Sequence, residues 1–193
     1  MDETDTWFSQ PEAATQWITR LCQAKLLWDP VSCFQSIQQR ARKFVWNNHL
    51  QKQADAYASR KVVGWIEEVH KGLEGLRRKD SGRLLNARFG LSWGLMNVMR
   101  AQRGVLVTND NTTYTEVTVS IGNHSTWAIL SRKAFGLDSP MEIEMQVKAG
   151  LWLYVVTAEM IGDQLQPNDK GIIQQTIDRI QKEVGTIDPP FNE

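Results

Sequence analysis

Arg88 and Glu159 are charged residues at positions where the hydrophobic pattern calls for apolar ones. On a helical wheel Arg88 falls among Leu84, Leu91 and Leu95, and Glu159 shares a side with Met145, Trp152 and Val155. An unpaired buried charge is costly, so each residue needs a partner. The expected solution is an ion pair between Arg88 and Glu159, with Asp163 as the second choice of carboxylate. Such a pair serves either as a structural tie or as the floor of a polar cleft. The opposite face of the same segment carries Asn86, Trp93, Asn97 and Arg100, spaced by seven, four and three. An aromatic ring with amides and a cation suits a hydroxyl-rich ligand, and it also describes a solvated face with one stray tryptophan. These six residues are the candidate substrate-binding set.

Other chemistry finds little footing. His49, His70 and His124 are scattered, and the sequence has neither His-x-x-x-His nor Cys-x-x-Cys for a metal. Glycine-rich phosphate loops and serine-nucleophile signatures are absent from the sequence. The carboxylate pairs Glu67-Glu68 and Glu142 with Glu144 read as exposed helix positions. Arg77-Arg78-Lys79 with Arg83 reads as a solvated helix end.

The elements that must position these residues are mostly helices. Ser9, Pro11 and Glu12 start one that reaches Ala24 with Trp17, Ile18 and Leu21 on its apolar stripe. Leu26-Leu27-Trp28 reads as a short extended run ended by Asp29-Pro30, and Pro30 opens a helix to about Trp46 carrying Phe34, Ile37, Ala41 and Phe44. From Gln53 a long helix bears Val62, Ile66, Val69, Leu73 and Leu76 at offsets of four, three, four and three. Lys79-Asp80-Ser81-Gly82 turns the chain into a second long helix, Arg83 to Arg103, which returns along the first. There Leu84, Leu91, Leu95 and Val98 form one apolar sector and Leu85, Phe89, Met96 and Met99 another. Gly90 and Gly94 on it invite a neighbouring backbone close.

Beyond Val105 the pattern is two-sided. Val117, Val119 and Ile121 alternate as a strand would, whereas Thr113 and Glu116 form a capping-box pattern. The reading adopted is a loop followed by a short helix. Ser125 to Gly136 forms another short helix, Ser139-Pro140 opens a central one to about Gly162, and the last begins near Asp169 with Ile173, Ile177, Ile180 and Val184. Ile187-Asp188-Pro189-Pro190 is a frayed tail.

Composition bounds the rest. The chain has 193 residues, 41% hydrophobic and 23% charged, which suits one folded domain with a core. Its 22 basic residues balance 22 acidic ones, so no global field favours nucleic acid or an anionic membrane. The longest apolar run, Ala149 to Ile161, is interrupted by Thr157 and Glu159 and is too short to span a bilayer. Met1-Asp2-Glu3-Thr4-Asp5 is acidic and leads into no apolar run, unlike a signal peptide. Cys22 and Cys33 have no partner pair. A soluble cytoplasmic protein is expected.

With these stretches in place, the chain resembles the latter part of the kanamycin type of aminoglycoside nucleotidyltransferase. The resemblance lies in Leu26-Leu27-Trp28-Asp29-Pro30, in Arg83 to Leu95 (RLLNARFGLSWGL), in Arg103-Gly104-Val105-Leu106 with Asn109-Asp110-Asn111, in Ala134-Phe135-Gly136-Leu137 and in Ala149 to Tyr154. It spans roughly residues 15 to 165 and is one of helix pattern and order. It implies an all-α fold: an antiparallel helical bundle of the substrate-binding-domain type over residues 31–185. Residues 1–30 would be a remnant of the linker and last strand of a nucleotidyltransferase domain, and 186–193 a tail. It further implies a small hydroxylated, aminoglycoside-like acceptor. Mg²⁺ and a nucleotide triphosphate belong to the N-terminal catalytic half, whose Gly-Ser loop and paired aspartates this sequence lacks. No cofactor is therefore expected on this chain, which would be inactive alone, as a fragment or a degenerate member. Two alternatives stand beside it. Arg42 and His49, with six residues between them, match the spacing of HEPN-type ribonucleases and toxins. The chain also fits a non-catalytic helical partner of a separate nucleotidyltransferase chain, a reading that gains if the surface around Leu26 to Trp28 is apolar and bare.

Overall fold

The computed structural model describes residues 3–138 and 140–185; Ser139 and the tail proline pair Pro189-Pro190 lie outside them. Every regular element among the described residues is helical, and no β-strand occurs there. Two short arm helices come first, α1 (Glu3–Ser9) and α2 (Pro11–Gln23), followed by α3 (Cys33–Arg42). The body comprises α4 (Asn48–Gly64), α5 (Ile66–Arg78), α6 (Ser81–Gln102), α7 (Thr113–Ile121), α8 (Thr126–Phe135), α9 (Ile143–Ile161) and α10 (Pro167–Val184). None of these helices is long and apolar enough to cross a membrane.

Helix starts follow local chemistry. Asn47, Asp80 and Ser125 each accept a backbone N–H three residues on, from Leu50, Arg83 and Ala128, so three orphan donors find acceptors within the same turn. Pro11 and Pro167 occupy first turns, where a missing N–H costs nothing. Gly136 ends α8 at φ 71°, and Leu137 N–H closes back onto Arg132 O.

The expected long helix from Gln53 is two helices, broken at Trp65, whose ψ of −1° departs from helical geometry. The stripe nonetheless continues through the break. Val62, Ile66, Val69 and Leu73 are buried, and Leu76 packs against the same core. α6 packs on α4, α5, α8 and α9, and α9 on α5, α8 and α10, which makes α6 and α9 the central pair. On α6 the sector Leu84, Leu91, Leu95 and Val98 is fully buried, as are Met96 and Met99. The second sector stops there: Leu85 and Phe89 are 55% and 66% exposed, because none of the described helices covers the N-terminal half of that face. α10 buries Ile173, Ile177 and Ile180, and it begins at Pro167, ahead of the expected Asp169.

Three expectations are corrected. Leu26-Leu27-Trp28 is not a strand but an irregular, open segment, with Leu27 94% and Trp28 82% exposed, and residues 3–30 hold two helices and no strand. Pro30 does not open α3. The Asp29 carboxylate reaches forward instead, accepting N–H groups from Cys33 and Gln35, and the chain breaks again after Arg42. Third, Glu116 forms no capping box with Thr113: it accepts the Thr108 N–H from the preceding loop, while Asn109 ties down Asn111 and Thr112. The Val105–Gly122 region is a loop and short helix, the reading adopted over the strand.

The glycines of α6 have a specific role. A Cβ at residue 94 would stand 2.3 Å from the Trp65 ring, and one at residue 90 would stand 2.7 Å from Glu68 Cγ. They admit two large side chains from the α4–α5 junction, rather than the bare backbone their positions suggest. Gly94→Ala therefore expels Trp65 and lowers stability by about 1–3 kcal/mol. Gly64→Ala has nothing within 4 Å to meet and gains about 0.5 kcal/mol. Urea denaturation of the two variants checks this, and equal midpoints would exclude a packed Trp65.

Candidate functional site

The site grows from the face of α6 opposite its core sector. Two adjoining clefts run along it. One, about 530 Å³, is bounded by Glu12 and Gln16 of α2, Tyr57 and Lys61 of α4, Asp110 and Thr113, and the α6 residues Trp93, Gly94, Asn97 and Arg100. The other, about 480 Å³, is bounded by Glu68 and Lys71 of α5 with Asn86, Phe89 and Gly90 of α6. Trp65, Trp93, Gly94 and Asn97 border both. The indole of Trp65, lying over Gly94, therefore stands at their junction.

Asn86, Trp93, Asn97 and Arg100 thus share one grooved surface, as their spacing on the helix requires. Trp93 is 38% exposed, and its inner edge packs against Phe135 in an edge-to-face contact of 4.9 Å. Tyr114 meets the same Phe135 ring at 5.4 Å, so the tryptophan wall is braced by α7 and α8.

Arg88 and Glu159 are not brought together. Arg88 donates from Nη2 to Phe135 O at 2.7 Å, which places its charge at the carbonyl end of α8, where the helix dipole favours a cation. Its Nε is buried without a partner, so the Phe135 carbonyl meets only part of what the half-buried guanidinium can donate. Glu159 and Asp163 are exposed near the end of α9, and neither borders a cleft. The wheel placed Arg88 correctly against the core edge but could not show that a helix C-terminus lay within reach.

Arg100 is the electrostatic anomaly. No hydrogen bond or ion pair joins its guanidinium to any described residue, and its Nε is buried without a partner. Burial lowers its pKa from the ordinary arginine value and Arg20 adds to that, while Tyr57, Asp110 and Glu12 oppose it. One of the two carboxylates that oppose the shift is already engaged: Asp110 takes Arg20 Nη2 at 2.5 Å. Tyr57 is raised from its ordinary value, first by burial and then by Glu12. Trp65 Nε1 and Glu68 Oε2 are also buried without partners; the second Glu68 oxygen binds Lys71 at 2.8 Å. An unmet buried donor or acceptor costs about 1–3 kcal/mol, and three of them border these clefts.

Tyr57, Lys61, Trp65, Glu12 and Asp110 escaped the sequence reading because they come from separate elements. The usable signal was Gly94, a helix-interior glycine that marks where a large neighbour approaches. Arg42 and His49 sit on different helices, both exposed. Arg42 donates to Gln38, and the His49 ring lies 3.2 Å from the Gln53 amide, so each is engaged by a neighbour one turn away on its own helix. Among the described residues no group of three or more His, Cys, Asp and Glu is placed to hold a metal ion.

Arg88→Met removes a charge-assisted bond and lowers stability by about 1.5–3 kcal/mol, whereas Glu159→Gln stays within about 0.5 kcal/mol of the parent. Equal losses in guanidinium denaturation would restore the Arg88–Glu159 pair. No family model matches this sequence, and comparison with curated proteins and with solved structures finds no match.

Proposed function

We propose that this chain holds a small hydroxylated molecule in the double cleft along α6, as the substrate-binding half of a nucleotidyltransferase does. The observation that carries the reading is the set of unmet polar groups, Arg100, Trp65 Nε1 and Glu68 Oε2, gathered around two tryptophans. A ligand with hydroxyls and a ring would satisfy those groups while stacking its apolar face on the Trp93 indole. In this reading the helices form an antiparallel bundle of the substrate-binding type. Metal-bound nucleotide triphosphate is supplied by a catalytic domain or chain elsewhere, and the chain by itself transfers nothing.

A second reading, a helical partner of a separate nucleotidyltransferase chain, is favoured by one observation. Leu26, Leu27, Trp28 and Val31 form a bare apolar run between α2 and α3, from 47% to 94% exposed. The readings are compatible, since the run lies outside both clefts. Sedimentation velocity separates them from self-association. A monomer leaves the run open to another chain; a dimer dispersed by the double variant Leu27→Ser, Trp28→Ser assigns it to a second copy.

Ligand holding is tested by tryptophan fluorescence and thermal shift with a panel of neutral, cationic and anionic sugars. At least one class raises the melting midpoint and quenches emission, and Trp93→Ala weakens that binding about tenfold or more, the loss of one aromatic stacking contact. A panel without any shift overturns the reading.

A further inference from the structure

The cleft's charges restrict what it can hold. Two cations, Lys61 and Arg100, and two carboxylates, Glu12 and Asp110, line the larger cavity, and Arg20 reaches Asp110 from outside that lining. Asp110 is consumed by Arg20, and Glu12 balances Lys61 in number, which leaves Arg100 in surplus. The smaller cavity adds no cation to the count, since Lys71 there is shared between Glu68 and the exposed Glu67. A polyamine entering the larger cavity would face an uncompensated guanidinium. An acid would neutralise it.

Placement agrees with charge. Arg100 is six residues beyond Gly94 on α6, roughly 9 Å along the axis at the helical rise. That is about the span of one sugar ring with its substituent. A ring stacked on Trp93 beside Gly94 therefore puts an exocyclic group within reach of Arg100. A guanidinium offers a planar fork of donors matched to two oxygens of a carboxylate or phosphate. With only its Nε closed off by burial, the terminal nitrogens of Arg100 are the ones left to face the cleft.

We infer that the ligand is an acidic hydroxylated compound, its carboxylate or phosphate seated on Arg100 and its ring on Trp93. This rests on the ligand-holding reading above and departs from the amino-sugar acceptor that the family resemblance implies. The two oxyanions share one recognition chemistry.

The test is a calorimetric titration of the parent protein with glucose, glucosamine, glucuronate and glucose 6-phosphate. One or both acids bind about ten- to a hundredfold tighter than glucose, the worth of one charge-assisted contact, and glucosamine binds no tighter than glucose. The stronger acid identifies carboxylate or phosphate. Inorganic phosphate competes with it, and added salt weakens it without affecting glucose. Arg100→Gln erases the preference for acid but keeps glucose binding, while Trp93→Ala weakens every member alike. Because the ligand series is read on the parent protein, a misfolded variant leaves the test intact. Equal binding of acid and neutral sugar, or a preference for glucosamine, overturns this inference alone. Binding of none overturns it together with the ligand-holding reading.

Discussion

A single steric fact organises the grooved side of this molecule: residue 94 has no side chain, so the Trp65 ring can lie against α6. Trp65 also marks the break between α4 and α5, and its backbone still accepts the Val69 N–H on one side and donates to Lys61 O on the other. The break thus falls at the residue whose indole is pinned. If the indole were displaced, the stripe from Val62 to Leu73 would lose its register against α6 and α9. Packing and cleft formation are then two results of one contact, and close-packed interiors leave little slack for separating them.

Around that contact α6 serves two surfaces of unlike chemistry. One carries Leu91, Leu95, Met96 and Met99 into a core shared with α9, completely buried. Its reverse carries amides, an indole and a guanidinium into a groove. A helix apolar on most of its girth with one polar strip has a weak amphipathic signature, which is why the strip resembled a solvated face in the sequence. What separates the two cases is whether other elements rise on either side. Here α2 and α4 do, and they bring Glu12, Tyr57 and Lys61 with them.

Helices were legible from the sequence where periodicity was long and caps were chemically explicit: α8 between Ser125 and Gly136, α10 with its isoleucines, and the Val62–Leu76 stripe. Legibility failed at breaks whose markers were outweighed by the pattern around them: Gly64 ends α4, but the apolar stripe runs on past it. Trp65 interrupts a stripe without changing its phase, and Asp29 starts α3 from a distance that local rules do not cover. The candidate site divided the same way. Asn86, Trp93, Asn97 and Arg100 share a helix face, so spacing alone grouped them. Arg88 and Glu159 lie on different helices, and their joining was inferred from cost rather than geometry; a carbonyl at the end of α8 met that cost first.

The arm formed by α1 and α2 has a consequence for how the groove is entered. Its own small core, Ala14 and Ile18 against Leu50, stands apart from the main one, and it is tied to the body by Val107 N–H to Thr15 O, Thr19 to Leu106 O and the exposed Arg20–Asp110 pair. Beyond it the chain runs through the open segment before α3. Sub-global opening follows the elements with the fewest buried apolar contacts; α3 buries only Ala41, and α2 packs against it, so the two lie towards that end of the scale. Since α2 supplies one wall of the larger cavity, admission of a guest and fraying of the first two helices would be a single equilibrium. The body would remain folded throughout, holding half a binding surface until the arm returned.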